Sequence, residues 1–448
     1  MRFSVMLKML ILSASVLLIL SGCGSEQNEN GSEALPQPAE NGASQAEDSA
    51  AEADSEEEHS EPVTLTLFPW NPFPQHEVEM FIQQHLEKKY PHISVELLDM
   101  PRNDLQNLIV SGNPPDLIAA AASFLSQFAD MDLLEDITPY VKKHNLDLSR
   151  FDQRYFEYDW LYNDPSLYGL PYSVPFGALY YNMDIFDRFG VEYPPDGMTW
   201  DEVIDLARQL TRTDEGIDFK GFVVDINRVL LPLGQAYIDP ETHEATVSSN
   251  PLFRDAYSIY QRIVSIPGNE QSGGRVAIFL RGEAAMMAHI QQFNDNFKKA
   301  TEEGLRWNVA QYPSFEEPKN TYLDYNPHIM IPTKVSKNKD AAIQVLDVLT
   351  SVEAQMDVSR QGHLTSLSDP AVLEVFGENL SYLEGIDVQR IFKSHPSTPI
   401  TRTEYNAMVQ SIIFNEAAAM LESGTDVNTV VREINERINL KIAEAKNQ

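Results

Sequence analysis

Cys23 is the only cysteine in a chain of 448 residues. A lone thiol closes no internal disulfide and builds no all-cysteine zinc site, so whatever chemistry it does must be local. Local signatures of catalysis are missing: there is no G-x-S-x-G, no H-E-x-x-H, no phosphate-binding G-x-x-x-x-G-K-[ST] and no G-x-G-x-x-G after a strand. A scattered Ser-His-Asp or two-carboxylate site stays open, since its members need not be neighbours in sequence. Asp130, Asp132, Glu135 and Asp136 have the ligand types for calcium but not the glycine and spacing of an EF-hand loop, and a solvated helix edge explains them as well. No metal and no cofactor is expected. Recognition chemistry is better represented. Trp70 and Asn71 directly follow an alternating strand, the place where α/β sheets bind ligands, although a tryptophan in a Pro-rich loop can also simply pack that loop down. Asn227 and Arg228, in "DINRVLL", offer donors to hydroxyls or to a carboxylate, or else belong to a surface helix.

The surroundings of Cys23 give its thiol a use. Arg2 and Lys8 make a positive start, and Met9 to Leu20 is an apolar run too short for a comfortable span of about 20 residues. Leu20-Ser21-Gly22-Cys23 resembles the lipobox of bacterial lipoproteins. That resemblance implies a signal peptide over 1–22 and an acylated Cys23 at the mature N-terminus, tethering the protein to the outer face of the cell membrane. An ordinary signal peptide or a retained N-terminal span are the alternatives.

From Gly24 to Pro62 there is no Lys or Arg and almost no bulky apolar residue, so a disordered acidic linker is expected over 23–62. The chain carries 67 acidic and 33 basic residues, a net charge of -34. Without the signal and linker, 55 acidic residues still face 31 basic ones. Such a surface argues against nucleic acid and against lying on anionic lipid, both of which need basic patches.

The remainder is too long for one simple core and predicts two lobes. Alternating Val63, Leu65 and Leu67 read as a strand, Val78, Phe81, Ile82 and Leu86 as a helix stopped by Pro91, and "ISVELL" as a second strand. With a third buried strand after "SGNPPDLI", this predicts a mainly parallel sheet covered by helices. Thr199 and Glu202 form a T-x-x-E capping box ahead of Trp200, Val203, Ile204, Ala207 and Leu210 on one helix face.

The run from Tyr168 to Arg212 resembles the extracellular solute-binding proteins of ATP-binding-cassette importers, in the group that includes maltose-binding protein. Gly169, Pro171, Tyr172, Leu179, Tyr180, Tyr181, Asn182, Asp184, Phe186, Pro194, Pro195, Thr199, Trp200 and Glu202 match that family's crossing segment. "SGNPPDLI", "FLRGEAAMM" and "HIMIPTKVSKNKDAAIQVLDVLTS" resemble further family segments in the same order. The resemblance implies an α/β fold of the type II periplasmic-binding-protein kind, with a ligand cleft between two lobes. Lobe 1 is expected over 63–172 plus about 328–368, and lobe 2 over about 173–327 plus about 369–448.

It also implies binding of a small molecule, a carbohydrate foremost, by a monomer that delivers it to membrane permease subunits. Phe176 and Tyr180, after the crossing, are expected to line the cleft, with Tyr181 pointing to the core. The family's Gly-x-Trp sugar platform is replaced by "AHIQQFN", which puts Gln292 near that point, and Pro327-His328 stands where a small residue is common. Tyr325 and His328, at the return crossing, complete the candidates. Trp160, Trp200 and Trp307 are expected to be structural. A sensor lipoprotein of the same fold without transport is the alternative function, and an extracellular hydrolase a more distant one.

Overall fold

A computed structural model describes residues 61–447 apart from 99, 103, 159, 162, 163, 272, 291 and 292. Contacts divide the chain into Met1–Glu58 and His59–Gln448, and the fold is that of the second unit. The signal, Cys23 and the acidic linker therefore lie outside the described residues, as does Gln292. Among the described residues no helix is long and apolar enough to cross a membrane.

Twelve strands are described: β1 (Val63–Pro69), β2 (Ile93–Leu97), β3 (Leu117–Ala121), β4 (Leu170–Ser173), β5 (Gly177–Asn182), β6 (Arg212–Asp214), β7 (Ile217–Phe219), β8 (Met286–Ile290), β9 (Trp307–Ala310), β10 (Thr321–Asp324), β11 (His328–Pro332) and β12 (His395–Ser397). The first sheet has the order β2-β1-β3-β11-β4, with β1 parallel to β2 and β3, and β11 antiparallel to both of its neighbours. It is the mainly parallel sheet the βαβ pattern predicts, with the returning strand reversed. The second sheet, β8-β5-β9, is wholly antiparallel.

Both sheets bury both faces. Leu65 and Leu67 point to one core with Phe81, Ile82 and Leu86, while Phe68 points to the other with Ile118, Ala120 and Phe128. In the second sheet Leu179 and Tyr181 join Phe186 and Trp200, whereas Ala178 and Tyr180 join Phe279, Phe297 and Trp307. The two-residue period of a strand explains the alternation.

Helix Trp200–Leu210 begins as its sequence dictates: the Glu202 amide donates to Thr199 Oγ1 at 3.3 Å and the Thr199 amide to Glu202 Oε2 at 2.7 Å. Its buried residues are Trp200, Val203, Ile204, Ala207 and Leu210. Two other helices are not uniform. The helix over residues 75–89 contains a π segment, Glu79–Gln83, and the one over 406–422 contains another, Ile412–Glu416. The chain passes from the first sheet to the second between β4 and β5, and returns between β10 and β11.

Candidate ligand-binding cleft

A cleft of about 750 Å³ opens beside these two crossings. One wall comes from the carboxyl ends of β1 and β3 and from the first turn of the helix over 75–89: Asn71, Ser123, Phe124, His76 and Glu77. Asn71 is fixed there because its amide donates to the Ala119 carbonyl at 2.9 Å and its Oδ1 accepts from the Ala121 amide at 3.0 Å. Its Nδ2 has no partner among the described residues. The opposite wall includes Asn227, Arg228, Lys298, Tyr382 and Phe414. Asp324, Asn326 and His328 contribute from the return crossing. Asn326 holds that crossing to the first wall, accepting from the Ser123 amide at 2.9 Å and donating to Ser123 Oγ at 3.1 Å.

Part of the charge in the cleft is paired. His363 Nε2 lies 3.0 Å from Glu77 Oε1, and Arg402 bonds the carboxylate of Asp324, whose side chain is only 2 % exposed. Among the described residues Arg228 has no such partner. His289, on β8 close to it, is held neutral: burial, then the charge of Arg228, lowers its pKa to about 3. Burial, then His363, lowers that of His328 to about 4. Both histidines ordinarily titrate near 6.5, so below that pH the unfolded chain takes up protons that the native state refuses. Stability supplied by the two neutral rings is expected to be complete above pH 6.5 and to decline as pH falls from there through 4. Melting of the unliganded protein between pH 7.5 and 4.5 checks this, and His328→Gln should make the decline shallower.

Of the residues singled out in the sequence, Asn71, Asn227, Arg228 and His328 line the cleft. Phe176 and Tyr180 do not: both are 0 % exposed and sit in a core of the second lobe. The alternation that sends Tyr181 to one core sends Tyr180 into another, because β5 is the central strand of a sheet covered on both sides. Tyr325 is also buried, with the Arg154 guanidinium 4.6 Å above its ring and Trp160 6.4 Å away. Trp70 stands one layer behind the wall, edge-on to Phe124 at 5.7 Å and Phe128 at 5.2 Å. The aromatic at the surface of that wall is Phe124. It follows the carboxyl end of β3 as Trp70 follows β1, so the same rule that selected Trp70 had the means to find it. Trp200 and Trp307 are buried, as expected of structural residues. Tyr382 and Arg402 reach the cleft from distant segments and carry no local signal.

The family model for bacterial extracellular solute-binding proteins matches residues 75–356. The chain belongs to this family. Its members are binding proteins rather than enzymes. A Brucella abortus relative, described as a binding protein, is 26 % identical over 285 residues, which are 60 % of this solute-binding protein and 67 % of the relative. Among solved structures, the substrate-binding protein Lmo0181 of Listeria monocytogenes, in complex with cycloalternan, superposes with a TM-score of 0.69 at 20 % identity. It spans 86 % of this chain and all of its own. The sugar-binding protein MalE of Xanthomonas citri gives 0.66 at 17 %, over 86 % and 98 %. UgpB of Mycobacterium tuberculosis, in complex with glycerophosphocholine, gives 0.67 at 16 %, over 86 % and 99 %. The solute-binding protein thus has the two-lobed α/β fold of these proteins.

Proposed function

We propose that this is a lipid-anchored, extracytoplasmic substrate-binding protein of an ATP-binding-cassette importer, which takes a carbohydrate into the cleft and, as a monomer, delivers it to a membrane permease. The cleft carries this reading. Its volume of about 750 Å³ suits a small molecule, and amide, guanidinium and carboxylate groups stand beside the aromatic Phe124 and Tyr382. Sugars present that mixture of hydroxyls and apolar ring faces. The cycloalternan complex of the Listeria relative supports it. A thermal-shift series with mono- and oligosaccharides tests it: a ligand selective for the folded state raises the melting temperature, by about 2.7 kcal/mol of stability at a hundredfold excess over Kd. No shift with any sugar at millimolar concentration would remove carbohydrate as the ligand.

The lobes are taken as 63–172 plus about 328–368, and about 173–327 plus about 369–448. Within the expected crossings over 171–175 and 325–332, the residues outside the strands, 174–175 and 325–327, serve as hinges, since a few linking residues absorb rotation while packed cores stay rigid. A saturating ligand is expected to reduce the radius of gyration in small-angle scattering, and an unchanged radius would argue against closure.

The anchor rests on Leu20-Ser21-Gly22-Cys23. Cys23→Ser is expected to move the protein from the membrane fraction to the soluble fraction, because one acyl-bearing residue supplies the attachment. Retention of the variant on membranes would contradict the lipid anchor.

A further inference from the structure

We infer that the natural ligand carries an anionic group, a carboxylate or a phosphate, on a hydroxylated scaffold, and that Arg228 receives it. This rests on the cleft being the ligand site. Arg228 lines the cleft, and its guanidinium has neither an ion pair nor a hydrogen bond to any described residue, with Nε out of contact with solvent. The acids that act on it, Asp225 and Asp324, do so without contact and are each ion-paired to another residue: Asp324 to Arg402, and Asp225 to Arg275 at 3.4 Å. An unpaired cation withdrawn from water is costly, and a bidentate carboxylate or phosphate compensates it more fully than a neutral hydroxyl does.

The neighbouring groups say what the rest of the ligand must offer. Among the described residues Asn227 Oδ1 is a buried acceptor with no donor and the Tyr382 hydroxyl is buried without a partner, both in the same cleft wall. An anion alone satisfies Arg228 and leaves Asn227 unpaired. A sugar acid or a sugar phosphate supplies acceptors to Arg228 and hydroxyl donors to Asn227 and Tyr382 together. The charge of the lining agrees. Glu77, Asp295 and Asp324 are balanced by Arg228, Lys298 and Arg402, so the cleft is formally neutral in a chain of net charge -34. An anionic ligand meets there none of the repulsion that the rest of the surface imposes.

The test is calorimetry on the full chain with trigalacturonate, glucose 1-phosphate and neutral galactotriose, with wild type and Arg228→Gln. One acidic probe is expected to bind at least about tenfold more tightly than galactotriose, with affinity falling as salt rises. Which of the two it is separates carboxylate from phosphate. Arg228→Gln is expected to weaken that probe by about thirtyfold or more, as for truncating one side of a buried charged pair, without lowering the unliganded melting temperature. Galactotriose binding as tightly as either acid, or acid binding indifferent to Arg228→Gln, overturns the anionic ligand while leaving a sugar-binding cleft intact. Binding of any probe that is indifferent to Asn71→Ala as well as to Arg228→Gln overturns the cleft assignment itself. Failure of all three probes to bind overturns the inference for sugar acids and sugar phosphates alike.

Discussion

Arg402→Met is expected to cost about 3–5 kcal/mol of stability, the loss typical of stripping one partner from a buried ion pair. Asp324 lies at the end of β10, its side chain 2 % exposed, and Arg402 is the cation bonded to it. The expense comes less from the lost attraction than from the carboxylate left behind in a place water cannot reach. Urea unfolding at pH 7 measures it. Adding Asp324→Asn to the same chain should return most of the loss, because the orphaned charge is then gone, and the double-mutant cycle isolates the coupling of the pair. A loss below about 1 kcal/mol for the single variant would mean that Asp324 has found another counter-ion.

Tyr180→Ala is expected to cost a similar amount, about 3–5 kcal/mol, for a different reason. The ring is packed at 5.1 Å from Phe297, 5.9 Å from Trp307 and 6.2 Å from Phe279, and none of these neighbours is free to collapse into the space it would vacate. The melting temperature of the unliganded protein should fall by about 5 °C. Asn71→Ala, by contrast, should change that temperature little and act on ligand affinity. If Tyr180→Ala instead left melting unaltered and reduced affinity, the ring would have to face the cleft.

These two residues also mark how far the sequence can be read. Helix Trp200–Leu210 was legible to the residue, because cap and buried face lie within a dozen positions and depend on local geometry alone. The strand character of β5 was legible too, and so was the opposition of Tyr180 and Tyr181. What alternation could not tell was that both sides are covered. The second cover comes from Phe279, Phe297, Trp307 and Phe376, far along the chain, and only the tertiary fold brings them there. The same limit applies at the cleft. Asn71 was accessible through its position after a strand, and Asn227 and Arg228 through their donor chemistry. Arg402 sits in an irregular segment and Tyr382 in the short 3-10 helix Ser381–Leu383, and the place of such pieces depends on distant contacts, as with Asp324 and Arg402, 78 apart. The helix over 75–89 shows an intermediate case: Val78, Phe81, Ile82 and Leu86 are all buried as their spacing predicts, yet nothing in that spacing betrays the π segment between them.

Those π segments let the helices behind the cleft differ in length by one residue without re-aiming its walls. A π turn accommodates one residue more than an α turn, and removing that residue lets the helix close with uniform i→i−4 bonds. The wider turn has already absorbed that residue, so the flanks keep their relative orientation, whereas a deletion from a uniform α-helix turns one flank by about 100° relative to the other. A one-residue deletion within 79–83 is therefore expected to leave His76 and Glu77 at the cleft and Leu86 in the core, and one within 412–416 to do the same for Gln410 and Leu421. Each helix can therefore lose one residue at its π segment while the side chains it presents to the cleft stay where they are.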